Sequence, residues 1–220
     1  MIALKALAAL LAYPSEAQIE ALAEIRAALA AEKRIPREVQ RQLAALADEL
    51  AAADLLEAQE AYVALFDRGR ATSLHLFEHV HGDSRDRGQA MVDLKDVYAR
   101  TGLELAANEL PDYLPVVLEY LSTRPYDEIR DMLGDCAHIL RAIGEALARR
   151  RAPHAAVFGA LLAIVGEAGL GNVEGPAPSA VEEDKALDEE WVDQPVLFGL
   201  GCGDARQNSP QPVKFVRKVA

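Results

Sequence analysis

Three of the five histidines in this 220-residue chain lie close together, at positions 75, 79 and 81. Imidazole nitrogens ligate metals and titrate near neutral pH, so such a cluster could bind a metal or sense pH. His75 and His79 are four residues apart and would share one face of a helix, with His81 or Asp83 as further donors. The order differs from His-Glu-x-x-His, so the metalloprotease motif is absent. The alternative is that these histidines are hydrogen-bonded surface groups.

Charged residues of both signs surround the histidines. Arginine side chains suit phosphate groups, so four of them could form an anion site. Three aspartates alternate with these arginines and would neutralise the patch, which predicts internal ion pairs that hold the loops in place. The arginines are Arg68, Arg70, Arg85 and Arg87, and the aspartates are Asp67, Asp83 and Asp86.

The composition excludes several classes of function. The chain has 23 Lys and Arg against 35 Asp and Glu, a net charge of −12, which argues against nucleic acid and favours a cationic partner. Cys136 and Cys202 lie far apart without a Cys-x-x-Cys partner, so we expect no disulfide framework and no zinc site. A reducing cytoplasm is the simplest setting. No stretch approaches the roughly 20 apolar residues of a membrane span, so stable membrane insertion is not expected.

No catalytic residue can be assigned from the sequence. Neither a Gly-x-Ser-x-Gly motif nor a P-loop occurs, and the glycines of GLGCGD at 199–204 have no preceding strand or following helix. Cys202 has no partnering base in the sequence. We therefore expect a protein that is not an enzyme and that holds no cofactor and no metal.

Local signals predict a series of helices. A helix over residues 3–12 should stop before Pro14, and Ser15 with Gln18 forms a capping box for the next helix. Pro36 suits a first helical position. Asp54 and Glu57 form another box, and Gly69 should end the helix that follows.

The middle of the chain is predicted to continue as helix. We expect one helix from Ala71 to His81, another opened by Pro111, and a single long helix from Pro125 to Arg151. No segment alternates like a strand. The fold class is therefore all-α, a single-domain antiparallel helical bundle over residues 1–170. Residues 171–220 are rich in Gly, Pro and acid, which predicts a partly disordered tail with a short docking helix near 186–198.

Two blocks of sequence carry a resemblance to a known family. The first contains LFDRGRATSL, LFEHVHG and SRDRGQAMVDL between residues 65 and 94, and the second is ELPDYLPVVLEYL at 109–121. Together with YPS near Tyr13 and CGD after Gly201, they resemble the respiratory nitrate reductase delta-subunit chaperones, which assist molybdenum cofactor assembly. These form a branch of the redox-enzyme maturation chaperones. Tyr113 departs from the wider group, many of whose members carry histidine there.

The resemblance implies a system-specific, cytoplasmic assembly chaperone. It would bind the N-terminal segment of the nitrate reductase catalytic (alpha) subunit and assist molybdenum cofactor and iron–sulfur insertion before the enzyme docks on the membrane. The cofactor-delivery machinery is a second candidate partner. Two alternatives stay open: a metal-binding helical enzyme that uses His75, His79 and His81, and a scaffold that binds folded subunits.

The same resemblance implies that the two blocks face each other. Acidic residues would then lie beside an apolar surface and suit a basic amphipathic peptide laid in as a helix. Several of the aromatic and aliphatic residues fit a core equally well. The predicted client-binding residues are Tyr62, Leu65, Phe66, Asp67, Arg70, Leu76, Glu78, His79, His81, Asp112, Leu114, Pro115, Leu118 and Glu119.

Overall fold

A computed structural model of the chain describes residues 1–81, 85–105 and 109–171. Within these ranges the chain forms ten α-helices, one 3-10 turn at Arg70–Thr72 and one isolated antiparallel β-bridge, so the all-α prediction is confirmed. The predicted tail and its docking helix lie outside the described residues and stay predictions. The helices are α1 Ile2–Leu11, α2 Glu16–Ala31, α3 Arg37–Ala52, α4 Leu55–Phe66, α5 Leu76–His81, α6 Arg85–Arg100, α7 Leu114–Ser122, α8 Tyr126–Asp135, α9 Ala137–Arg149 and α10 Ala155–Ile164.

Two helices form the centre of the bundle. Helix α1 buries most of its length and packs against α2, α7 and α10. Helix α10 is apolar on every side and packs against α9, α3 and α1. A helix that is hydrophobic all round must be buried on all sides, and this requirement places α10 inside the bundle. The amphipathic helices α3, α8 and α9 cover the centre with one face each.

Capping side chains fix two of the helix starts that the sequence predicts. Ser15 Oγ accepts a hydrogen bond from the Gln18 backbone N–H at 3.2 Å, and the Asp54 carboxylate accepts one from Leu56 N–H at 2.9 Å. The reciprocal half of the first capping box is wrong, because the Gln18 side chain donates to the Ala9 carbonyl instead. The sequence predicts Pro36 at the first helical position of α3, but Pro36 is the N-cap residue, and the helix begins at Arg37.

The predicted helix from Ala71 to His81 is wrong. The chain makes a 3-10 turn, runs extended through the bridge at His75, and becomes α-helical only at Leu76. The Leu114 N–H donates to the Leu74 carbonyl at 2.9 Å, and the Leu76 N–H donates to the Asp112 carbonyl at 3.1 Å. These long-range hydrogen bonds replace the local ones that a continuous helix would use.

Three other predicted boundaries are also wrong. Helix α7 begins at Leu114 rather than at Pro111, with Pro115 in its first turn. Helix α4 ends at Phe66, before Gly69. The predicted long helix after Pro125 is divided at Cys136 into α8 and α9, and this break lets the apolar faces of both helices reach the core.

Three helices end in the same hydrogen-bonded turn, in which one residue adopts a left-handed conformation. Gly102 after α6 and Gly166 after α10 have φ values of 78° and 81°. Arg151 occupies the equivalent position after α9 with φ 56°. Its N–H donates to the Ala148 carbonyl, and the next N–H, of Ala152, donates to the Leu147 carbonyl. This is the Schellman pattern, which glycine ordinarily completes.

Candidate functional site

The two motif blocks meet at the bridge between His75 and Tyr113. The chain before α5 and the chain before α7 lie side by side here, joined by backbone hydrogen bonds on both sides of the bridge. The His75 and Tyr113 rings are in tilted contact, with centroids 5.3 Å apart. The structure therefore brings together the segments that the sequence marked as unusual.

Asp112 lies beneath this junction and has no solvent exposure. Its Oδ2 accepts a hydrogen bond from the Phe77 N–H at 3.1 Å, so a residue of the second block caps the first turn of α5. Its Oδ1 lies 3.5 Å from His75 Nδ1, an ion-pair distance without hydrogen-bond geometry. Asp112 thus supports the surface from below and does not line it.

The charge state of His75 depends on this carboxylate. The Asp112 carboxylate, 3.5 Å from the ring nitrogen, raises the pKa of His75, and the partial burial of the ring opposes that rise. Glu78 adds to the increase, while Arg87 reduces it. The protonated imidazole is therefore the form that the folded protein favours relative to an unperturbed histidine.

A pair of tyrosine hydroxyls joins α4 to the same junction. The Tyr62 hydroxyl donates to the Leu11 carbonyl at 3.0 Å. The Tyr113 hydroxyl lies 2.8 Å from the Tyr62 hydroxyl and is placed to donate to the Tyr62 oxygen. Burial raises the pKa of both phenols, so both keep their protons at neutral pH. The Tyr62 ring contacts Tyr13 and Phe66 at centroid distances of 5.4 Å and 4.8 Å.

Glu78 organises the charged residues of the first block. Its carboxylate accepts hydrogen bonds from Ser73 Oγ and, at 3.1 Å, from Arg87. Its backbone carbonyl accepts one from Arg70 at 2.6 Å, while His79 Nε2 lies 2.9 Å from the Ser73 carbonyl. Of the four arginines, Arg87 forms an ion pair here, but its partner is Glu78 and not one of the three aspartates that the alternating charges suggested. These contacts join the residues on either side of the start of α5.

The metal-site interpretation assumes that His75 and His79 share one face of a helix, and this prediction is wrong. His75 precedes α5 and His79 lies within it, so the two do not share a helical face. His79 Nε2 is already at hydrogen-bond distance from a backbone carbonyl. Across the described ranges no group of three or more His, Cys, Asp or Glu side chains could hold a metal ion. The His81 side chain and Asp83 lie outside those ranges.

A first pocket lies beside α4 and contains two predicted residues, Tyr62 and Leu65. Its volume is about 400 Å³, and its lining is mostly aliphatic and also includes Arg150 and His154. His154 Nδ1 is buried and has no hydrogen-bond partner among the described residues, and its ring contacts Phe66 edge-on at a centroid distance of 5.3 Å. Burial lowers the pKa of His154 to about 4, so this histidine is neutral at physiological pH.

A second pocket, here called the acidic pocket, lies between the C-terminal end of α6 and helix α7 and also has a volume of about 400 Å³. Its apolar part includes the buried rings of Tyr98 and Tyr120, which are in contact. Lys5 also lines this pocket. None of its three carboxylates pairs with a cation in the part of the chain that the structure describes. These carboxylates belong to Glu104, Glu109 and Glu119.

The predicted client-binding residues lie at several places in the described part of the chain, and their role in client binding stays a prediction. Asp67 and Arg70 are exposed near the end of α4, Glu119 lines the acidic pocket, and the His81 side chain lies outside the described part. Most of the apolar members are core residues, as the alternative interpretation expected: Phe66, Leu76, Leu114, Pro115 and Leu118.

Sequence reasoning missed several residues of the acidic pocket. Glu109 opens the second motif block, so its place in that block was an available signal. Tyr98 and Tyr120 have the spacing of ordinary core residues, and Glu104 stands in a segment with no motif. Only the fold shows that these side chains line one pocket.

Comparison with known proteins gives a consistent set of relatives. The family model described as nitrate reductase delta subunit matches residues 32–160. The chain is 43% identical over 225 aligned residues to the nitrate reductase molybdenum cofactor assembly chaperone NarJ of Escherichia coli strain K12, covering 100% of this chain and 95% of that protein.

Two further relatives carry related names. The probable nitrate reductase molybdenum cofactor assembly chaperone NarW of the same strain is 45% identical over 161 residues, covering 72% of this chain and 70% of that protein. The probable chaperone NarJ of Bacillus subtilis strain 168 is 27% identical over 175 residues, covering 79% of this chain and 94% of that protein.

Proposed function

This chain belongs to the nitrate reductase delta subunit family, and on that premise we propose that it is an assembly chaperone for a molybdenum-dependent nitrate reductase. The observation that carries the proposal is the 43% identity, along the whole chain, to a protein named as such a chaperone. The named relatives described above are assembly chaperones and not catalytic enzymes. The partner is accordingly the nitrate reductase catalytic subunit.

The chaperone binds the N-terminal segment of that catalytic subunit. It holds the subunit while the molybdenum cofactor and the iron–sulfur centre are inserted, and it leaves as the enzyme docks on the membrane. Such action requires different affinities for the immature and the mature subunit, because equal affinity would shift no equilibrium. The chaperone acts in the cytoplasm. Helices long and apolar enough for a membrane span are absent from the described residues.

On the described surface, the acidic pocket suits a client segment with a basic face. Its exposed Glu119 carboxylate belongs to the predicted set, and Tyr98 and Tyr120 offer an apolar surface next to it. A hydrogen bond to a charged group contributes about 1.5–3 kcal/mol. A few of these with two or three apolar anchors reach the roughly −8 to −12 kcal/mol of micromolar to nanomolar binding.

Isothermal titration tests this assignment. A synthetic peptide matching about the first fifteen residues of the catalytic subunit encoded alongside this chain should bind saturably, with micromolar or tighter affinity. Replacing Glu109 and Glu119 together by Gln should weaken binding about tenfold, which corresponds to roughly 1.4 kcal/mol. The matched control replaces Glu20 and Glu24, which are exposed on α2, and should leave the affinity unchanged.

Two outcomes would redirect the proposal. Equal affinity in the folded Glu109→Gln/Glu119→Gln variant would remove the acidic pocket as the client site. If the whole immature subunit binds and no isolated segment does, the scaffold interpretation replaces peptide capture. The insertion role has its own readout, since reductase produced without this protein should contain substoichiometric molybdenum, and a normal content would contradict that role.

A further inference from the structure

One short part of the sequence has a charge opposite to that of the rest. The chain carries a net charge of −12, yet residues 205–220, ARQNSPQPVKFVRKVA, contain four basic residues and no Asp or Glu. Three of these cations, Lys214, Arg217 and Lys218, stand among apolar residues in VKFVRKV at 213–219. This basic segment has the chemistry that the acidic pocket suits: cationic side chains next to an aromatic anchor, Phe215.

The acidic pocket has groups to match each part of that segment. Glu104 and Glu119 are exposed, and neither pairs with a cation elsewhere in the described ranges. The Tyr98 and Tyr120 rings are in contact at a centroid distance of 4.7 Å and line the same pocket. Leu103, with 39% of its surface exposed, extends the apolar part at the rim. A volume of about 400 Å³ is ample for one aromatic side chain.

We propose that the basic segment 213–219 of this chain docks in its own acidic pocket, with Phe215 as the apolar anchor and Lys214, Arg217 and Lys218 facing the glutamates. Chain length permits this contact. Forty-one residues, 172–212, separate the described part from the segment, and an extended chain spans at most about 3.3–3.6 Å per residue. That reach exceeds the dimensions of a domain of this size, whose radius of gyration is about 15 Å.

A docked segment would compete with the client for the acidic pocket. This competition, unlike the docking itself, rests on the proposed function. A segment that is part of the same chain competes at an effective concentration that does not depend on the amount of protein. The apparent dissociation constant of the client is the intrinsic one divided by the fraction of pockets that are open. If the segment occupies nine pockets in ten, the client binds about tenfold more weakly.

The contact itself can be tested without any client. Full-length protein, prepared as an equal mixture of ¹⁴N-labelled and ¹⁵N-labelled chains, is treated with a carbodiimide that joins Lys to Glu directly, and the products are mapped by mass spectrometry. We expect links within one chain from Lys214 or Lys218 to the three glutamates of the acidic pocket. Links formed equally with Glu20 and Glu24 on α2, links only between chains, or none would overturn the proposal.

Calorimetry with the client peptide tests the competition. The full-length variant K214E/R217E/K218E should bind the peptide roughly three- to tenfold more tightly than the unchanged chain, whereas K214R/R217K/K218R, which keeps the charges, should not differ. Equal affinity in all three chains would show that the segment does not compete. If no chain binds the peptide while the links to the acidic pocket form, docking stands and the peptide-capture part of the proposed function fails.

Discussion

Asp112 shows how one buried carboxylate can hold two sequence blocks together. It caps α5 through the Phe77 N–H, and its own backbone carbonyl accepts the Leu76 N–H. Removing the carboxylate deletes this capping hydrogen bond, and the loss of a helix cap costs about 0.5–2 kcal/mol. We therefore expect Asp112→Ala to lower the free energy of unfolding by that amount, as measured by urea denaturation.

The control for this prediction is Asp96→Ala on the exposed side of α6. An exposed aspartate without ion-pair partners in the described ranges should change stability by less than about 0.5 kcal/mol. Equal effects of the two substitutions would contradict the capping role of Asp112. The same result bears on the client assignment, because a substitution at Asp112 acts through stability before it acts through binding.

Because His154 is buried, we expect the free energy of unfolding to fall at low pH. Burial lowers the pKa of His154 to about 4 from 6.5, so the folded protein favours the neutral ring. Its contribution to stability is complete above about pH 6.5 and is lost as the pH falls towards 4. With roughly 1.4 kcal/mol for each unit of pKa difference, the loss approaches about 3 kcal/mol.

Denaturation of His154→Gln at pH 7 and pH 4 measures this loss. Stability should fall less on acidification in the variant than in the unchanged chain, by a difference of up to about 3 kcal/mol. His138→Gln, at an exposed position of α9, provides the matched control and should behave like the unchanged chain. Identical pH profiles for all three proteins would remove the buried neutral histidine as a source of acid sensitivity.

The effect of pH on stability through His75 has the opposite sign. Its pKa is raised by Asp112, so its contribution to stability is complete below about pH 6.5 and is lost as the pH rises through that raised pKa. The two histidines therefore work against each other on acidification. Only variants of single histidines separate the two effects.

At the scale of helices, the end of α9 carries avoidable strain. Arg151 adopts the left-handed conformation that glycine supplies after α6 and α10. A non-glycine residue costs about 1–2 kcal/mol in that conformation, and replacing it by glycine removes this cost. Glycine also has more conformational freedom in the unfolded chain, which offsets part of the stabilisation. We expect Arg151→Gly to raise the free energy of unfolding by about 0.5–1 kcal/mol.

Thermal or urea denaturation measures that gain, with Arg151→Val as the opposing substitution. A β-branched side chain is strongly disfavoured at positive φ, so the Val variant should be less stable than the unchanged chain. The order Gly above Arg above Val is the expected result. A Gly variant less stable than the Arg chain would mean that the Arg151 side chain contributes more than its backbone costs.

Which elements can be predicted from the sequence depends on whether their hydrogen bonds are local. The starts of α2 and α4 are correct because Ser15 and Asp54 act within their own first turns. The segment before α5 is wrong because its partners, Asp112 and Leu114, come from a distant part of the chain. The division at Cys136 likewise follows from packing on a shared core, which periodicity alone does not reveal.

The candidate site follows the same rule at a larger scale. The sequence identifies Glu119 through its motif, and the fold places it with Glu104 and Glu109 around two tyrosines. Residue type alone does not separate a buried carboxylate such as Asp112 from an exposed one. Burial is a property of the assembled helices, so the sequence predicts the chemistry of the site better than its shape.

For the whole molecule, the net charge of −12 makes client binding sensitive to salt. The screening length falls from about 10 Å at 0.1 M to about 3 Å at 1 M salt, so attraction between exposed charges weakens. We expect the affinity of the basic client peptide to fall severalfold between 50 mM and 500 mM sodium chloride, as measured by calorimetry. A peptide with its basic residues changed to Gln should show little dependence, and equal slopes for the two peptides would contradict charge recognition.

The position of α1 at the start of the chain affects how the protein folds while it is being synthesised. Helix α1 is made first, yet its partner α7 ends at Ser122 and α10 ends at Ile164. At translation rates of about 5–20 residues per second, α7 follows α1 by roughly 6–22 seconds. For that time a helix that is almost entirely buried in the folded protein lacks α7 and α10, two of the helices that cover it. The growing chain therefore passes through a stage, while still on the ribosome, in which part of the apolar surface of its central helix is uncovered.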